Sequence, residues 1–124
     1  MEDKKILVVD DEILVCWSLK KKLEMLGFKV ATANSGETAI EILKQQKFDA
    51  LVTDLHLPGV DGFFVGKTAK TLTPDIKVFM VSAFGDEDSR SKSEKNNFRK
   101  FFDKPFDIEE MTSIIACDFH SKSP

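Results

Sequence analysis

The chain has 124 residues, 42% hydrophobic and 31% charged, and its 18 basic and 21 acidic side chains leave a net charge of −3. That length suits one domain over residues 1–124, long enough to bury a core without a disulfide or structural metal. The weak negative charge argues against a general nucleic-acid surface, so no direct nucleic-acid binding is expected. No run reaches the roughly 18 apolar residues of a membrane span. Cys16 and Cys117 lie far apart and outside any metal-spaced cluster, and no cationic–apolar leader pattern begins the sequence. Reduced thiols and a cytoplasmic location are therefore the expectation.

Lys5–Val9 is a largely apolar run ending at Asp10-Asp11. A strand of this kind is buried on both faces, as in a parallel sheet. Cys16, Leu19, Leu23 and Leu26 then recur at helical spacing, and Gly27 is placed to end that helix as a left-handed cap. Phe28–Ala33 reads as a second strand. Asn34 followed by Glu37 predicts a capping box for a helix through Ala39, Ile40 and Leu43 to about Gln46. Asp49–Thr53 is a third strand, stopped at Asp54. Leu57-Pro58-Gly59 and Asp61-Gly62 force a loop there. A helix with Gly66 inside it runs from Phe63 to about Leu72, until Thr73-Pro74-Asp75 breaks it.

Ile76–Val81 is a fourth strand, ending at Ser82. The stretch Asp86–Asn97 has almost no apolar residue, yet parallel strands need a crossover, so a short helix is placed in it. Phe98–Asp103 reads as the fifth strand. A last helix from Asp107 to about Phe119 has Asp107 and Glu110 as a second capping box and Met111, Ile114 and Ile115 facing inward. Ser121–Pro124 reads as a frayed end. Strands alternating with helices predict a doubly wound α/β domain, whose ligands bind beyond the carboxyl ends of the strands.

Asp10, Asp11, Asp54, Ser82 and Lys104 all fall at that edge. Clustered carboxylates repel one another and resent burial, and a hard cation relieves both problems. Magnesium on two carboxylates, waters and the backbone carbonyl of His56 would suffice. A carboxylate can also attack phosphorus to give an acyl phosphate. Asp54, on its own strand end opposite the acidic pair, is the preferred nucleophile. Lys104, the Ser82 hydroxyl and the Ala83 N–H are placed to meet the charge on the phosphoryl oxygens. Taken singly, these residues read as caps or surface groups, and their weight lies in the combination.

The segments ILVVDDE (Ile6–Glu12), TDLHLPGVDG (Thr53–Gly62), VSAFG (Val81–Gly85) and DKPF (Asp103–Phe106) resemble the receiver domain of bacterial two-component response regulators. They stand in that order, with 28 residues from Asp54 to Ser82 and 22 from Ser82 to Lys104, and the resemblance extends over a core at about 4–119. The resemblance implies a CheY-like, flavodoxin-like (βα)5 fold with a parallel sheet in the order 2-1-3-4-5. It implies Asp54 as phosphoacceptor, Asp10 and Asp11 with Asp54 and the His56 carbonyl as ligands of Mg2+ or Mn2+, and Lys104 as the phosphate-contacting lysine. Ser82 and Phe101 match the hydroxyl and aromatic switch positions, and the Lys104–Pro105 bond is expected to be cis. Phosphorylation is expected to draw in Ser82, let Phe101 rotate inward and reshape the surface of the fourth helix, fifth strand and fifth helix. A dimer partner or effector would bind there. The implied donor is a phosphohistidine on a sensor kinase or histidine phosphotransfer protein. The implied enzymology is self-directed: Mg-dependent phosphotransfer and slow autodephosphorylation, slowed further by bulky Phe84.

Three positions depart from the family pattern. Asn97 and Phe98 stand where members commonly have Gly-Ala, and Asp103 stands where many have an apolar residue. Other readings are a non-phosphorylated interaction module that kept the pocket, and an N-terminal receiver of a DNA-binding transcriptional regulator. An aspartyl-phosphate phosphatase would need an acid two residues after its nucleophile, where this chain has His56.

Overall fold

The structure is a computed structural model that describes residues 3–83 and 87–120. The elements in chain order are β1 (Lys5–Val9), α1 (Ile13–Met25), β2 (Lys29–Ala33), α2 (Gly36–Gln45), β3 (Ala50–Asp54), α3 (Gly62–Leu72), β4 (Lys77–Ala83), α4 (Glu87–Lys95), β5 (Lys100–Lys104) and α5 (Ile108–His120). The strands form one parallel sheet in the order β2-β1-β3-β4-β5. Phe84–Asp86 and Ser121–Pro124 lie outside the described residues, and with them the expectations for bulky Phe84 and for a frayed end. Among the described residues, no helix is long and apolar enough to cross a membrane.

The strict alternation of a strand explains why β1 is apolar from Ile6 to Val9. Leu7 and Val9 face one core, with Leu51, Val65 and Met80. Ile6 and Val8 face the other, with Leu19, Leu23, Phe79 and Ile115. The sheet thus has two hydrophobic sides, and only its carboxyl edge is left to polar groups. In α1 the periodicity holds for Cys16, Leu19 and Leu23. Leu26, expected inward, is 41% exposed because the helix stops at Met25. In α5, Met111 and Ile115 are buried while Ile114 is only half-buried.

Two helices end in the same way. The N–H of Gly27 bonds to the Glu24 carbonyl and that of Phe28 to the Leu23 carbonyl, while Gly27 has φ 102°. The N–H of Asn97 bonds to Glu94 and that of Phe98 to Ser93, while Asn97 has φ 61°. Both are Schellman caps, with the following phenylalanine buried. The second cap corrects the reading of the fifth strand. Phe98 belongs to the end of α4, and β5 begins only at Lys100.

The start of α2 is also corrected. Ser35, not Asn34, is the N-cap, and its hydroxyl accepts from the Thr38 N–H at 3.1 Å. Asn34 instead donates to the Asp10 carbonyl, and the Glu37 carboxylate accepts from the Val60 N–H. For α5 the expected cap is present on the Asp107 side, where Oδ1 accepts from the Glu110 N–H at 3.1 Å.

Gly66 lies inside α3 against helix propensity. A β-carbon there would sit 2.7 Å from Cζ of Phe98. The missing side chain makes the space that the large Phe98 fills, and Phe63 packs on the same ring at 5.6 Å between centroids.

Candidate functional site

Four parallel strands end side by side and deliver the polar residues to one edge. Asp10 follows β1, Asp54 ends β3, Ser82 is near the end of β4 and Lys104 ends β5. Asp10 and Asp54 are buried at 3% and 5% exposure and Ser82 is fully buried, while Asp11 is exposed at the rim. One carboxylate oxygen from each of Asp10, Asp11 and Asp54 lies within 4.8 Å of the others.

Lys104 crosses this cluster. Its Nζ donates to Asp54 Oδ2 at 2.7 Å and lies 3.7 Å from both Asp10 Oδ2 and Glu12 Oε1. The other oxygen of Asp54, Oδ1, accepts from the His56 N–H at 3.1 Å. The turn after Asp10 does the same, with the Glu12 N–H donating to Asp10 Oδ1 at 2.9 Å. Backbone donors therefore fix the rotamers of both carboxylates, so the pocket is built before any ligand enters it. Gly62 completes the packing behind it, since a β-carbon there would collide with the Asp54 carbonyl oxygen.

Burial pushes the Asp10 carboxyl above its ordinary value, and the nearby charges of Asp54 and Glu12 add to that. The Glu12 N–H and the Lys104 charge oppose the shift without cancelling it. Burial also disfavours the Lys104 charge, but the Asp54 hydrogen bond and the charges of Asp54, Asp10 and Glu12 outweigh it and hold the ammonium above its usual range. Beneath the pocket, burial and the Asp10 charge push the Cys16 thiol up to about 11. Its Sγ donates to the Asp10 carbonyl at 3.3 Å, which makes it a packing group and not a nucleophile.

The geometry sorts the residues singled out from the sequence. Asp10, Asp11, Asp54 and Lys104 come together directly. Ser82 stands one position beyond Val81, which pairs with Asp54, and opposite Asp103 of β5. His56 joins through its backbone N–H, and its side chain is exposed. Phe101 lies off the pocket, half-buried on the core, with the Arg90 guanidinium 4.8 Å from its ring centroid. The Lys104–Pro105 peptide bond is cis. Glu12 was given no role by the sequence, although it is the third acid of a run that leaves a buried strand. The all-oxygen donor set, with one carboxyl already raised by crowding and burial, suits a hard divalent cation.

The model of the family described as "Response regulator receiver domain" matches residues 6–116. The sporulation initiation phosphotransferase F of Bacillus subtilis (strain 168) is 30% identical over 115 residues, covering 93% of this chain and 93% of that protein. The transcriptional regulatory protein ZraR of Klebsiella oxytoca is 33% identical over 115 residues, but the chain spans only 26% of its length. A solved response regulator receiver domain protein from Clostridium thermocellum superposes with a TM-score of 0.83 at 28% identity, covering 94% of this chain and 92% of that one. The family match begins in the first buried strand and runs into α5, over a sheet whose order is the one the motifs implied. The chain therefore belongs to the receiver domains of response regulators, modules of phosphorylation-dependent signalling.

Proposed function

We propose that this domain is a cytoplasmic switch that takes a phosphoryl group from a phosphohistidine onto Asp54 and slowly hydrolyses it. The observation that carries this reading is the 2.7 Å contact of Lys104 with a buried Asp54 carboxylate, itself clustered with Asp10 and Asp11. A strand-end carboxylate held from both sides is oriented for attack before the donor arrives.

In the forward step an Asp54 oxygen attacks phosphorus, the P–N bond to the donor imidazole breaks, and the imidazole leaves with a proton. The Lys104 ammonium moves from a carboxylate oxygen to the phosphoryl oxygens, whose charge it balances. The Ser82 hydroxyl, at the neighbouring strand end, donates to another of them. Asp10, Asp11, Asp54 and the His56 carbonyl would hold magnesium or manganese, which when bound supplies positive charge to the phosphoryl oxygens. In the later hydrolytic step water attacks phosphorus, the bond from phosphorus to the Asp54 oxygen breaks, and the carboxylate is restored as inorganic phosphate leaves with the protons of the water. These are self-directed reactions.

The partner that supplies the phosphohistidine is a sensor kinase or a phosphotransfer protein. Ile13, Leu14 and Trp17 are 69%, 79% and 58% exposed on the first turns of α1, beside Asp11 and Glu12. An apolar patch at the mouth of an acidic pocket is a docking place for such a partner. The likeness to ZraR supports a second setting for the same chemistry, in which the chain is the receiver module of a longer transcriptional regulator.

The test is labelling with acetyl phosphate, followed by intact-mass measurement. Label should appear only with Mg2+ or Mn2+ and vanish in Asp54→Ala. An unlabelled native chain would leave the non-phosphorylated interaction module as the better reading.

A further inference from the structure

Phe101 and Asp103 stand two apart on β5, so both project to the same side of the sheet. Arg90 of α4 meets both. Its Nη2 donates to Asp103 Oδ2 at 2.9 Å, and its guanidinium lies 4.8 Å from the centroid of the Phe101 ring. The same ring packs on the core cluster of that side. Asp103 is the residue before Lys104, which binds Asp54, and it pairs in register with Ser82. The contacts therefore run from Asp54 through Lys104 and the end of β5 to Asp103, and from there through Arg90 to α4 and the Phe101 ring.

α4 is otherwise weakly held. Its sequence EDSRSKSEK is polar, and Ser93 is its one buried residue among those described. Lys92 of this helix reaches the Phe63 ring at 5.3 Å, and Arg90 reaches the site end of β5 through Asp103. A planar guanidinium can stack and donate at the same time, and a lysine ammonium cannot do both in this way.

We propose that Arg90 is a positioning residue that couples α4 and the Phe101 ring to the chemical state of Asp54. The inference rests on the phosphoacceptor reading of Asp54. When Lys104 and Ser82 turn toward a phosphoryl group, the β5 end that carries Asp103 shifts with them. The guanidinium cannot follow Asp103 and stay on the ring without moving the helix. The coupling thus depends on the pairing of an acidic residue at 103 with an arginine at 90.

The experiment uses the full chain with Mg2+ and acetyl phosphate. Asp54 labelling is followed by mass, and the α4 amides and the Phe101 ring by NMR. The variants are Arg90→Ala, Arg90→Lys and Asp103→Asn, with Arg99→Ala, which loses only a pair to Asp118 of α5, as control. All should be labelled. In the native chain and the control, labelling should move the α4 and Phe101 signals. In Arg90→Ala and Asp103→Asn that response should fall by about half or more, with Arg90→Lys in between. A full response in Arg90→Ala, or an equal loss in Arg99→Ala, overturns the proposal. If Arg90→Ala does not fold, Asp103→Asn decides in its place. A native chain that takes no label removes the phosphoacceptor reading and the coupling with it, an outcome distinct from a labelled chain whose α4 ignores Arg90.

Discussion

Asp10 carries a cost that the fold accepts for the sake of the pocket. Burial raises its carboxyl above the ordinary 3.8, so the native chain holds its proton more tightly than the unfolded chain does. Over the interval from 3.8 up to the raised value, the native state binds more protons, and stability falls as pH rises through it. Asp10→Asn should abolish that fall. Urea midpoints measured across the acidic range at low salt, without divalent ions, will show it as a flatter profile. An unchanged slope would mean that Asp10 is not the group responsible. The residues of this pocket were legible in the sequence because parallel strands share a carboxyl edge, so each polar residue at the end of an apolar run had to arrive there. Glu12 and Arg90 were not. Their contacts with Lys104, Phe101 and Asp103 depend on side-chain reach across elements, which neither periodicity nor strand ends encode.

The elements were legible to different degrees, for physical reasons. β1, β3 and β4 announce themselves by apolar runs buried on both faces. α4 has no apolar face, and what fixes it is a cap whose decisive residue is Asn97 in the left-handed region. Phe98 was read as a strand aromatic because a β-propensity signal looks the same in a buried cap. Its fit against Gly66 gives a prediction at this scale. Gly66→Ala gains helix propensity of about 1 kcal/mol, but overpacking a filled core costs about 1–3 kcal/mol. Gly66→Ala should therefore be net destabilising. Phe98→Ala alone should cost about 3–5 kcal/mol, and the double variant should cost less than the sum of the two. A strictly additive cycle in chemical denaturation would show that the two positions do not share the space.

For the whole molecule, the pocket links ligand to stability. Three carboxylates within 4.8 Å repel one another, and Lys104 offsets only part of that. A divalent cation that binds the folded chain alone should raise the melting temperature, with stabilisation of about 2.7 kcal/mol when the cation is at 100 times its dissociation constant. Calorimetry with and without Mg2+ will measure the shift, and it should disappear in Asp11→Asn/Asp54→Asn. A shift that survives the double substitution would place the ion elsewhere. The topology was readable at this scale because helices alternate with short buried strands, which leaves few ways to wind a parallel sheet.

The two edge strands, β2 and β5, are each five residues long and each opens on an exposed lysine, Lys29 and Lys100. Short charged edges resist the addition of another strand. The sheet is thus closed to growth from either side, and a partner that added itself as a strand would have to bury a lysine. For a molecule that binds this domain, the side chains on the helical faces are what the sheet leaves open, and contacts of that kind loosen when the packing does.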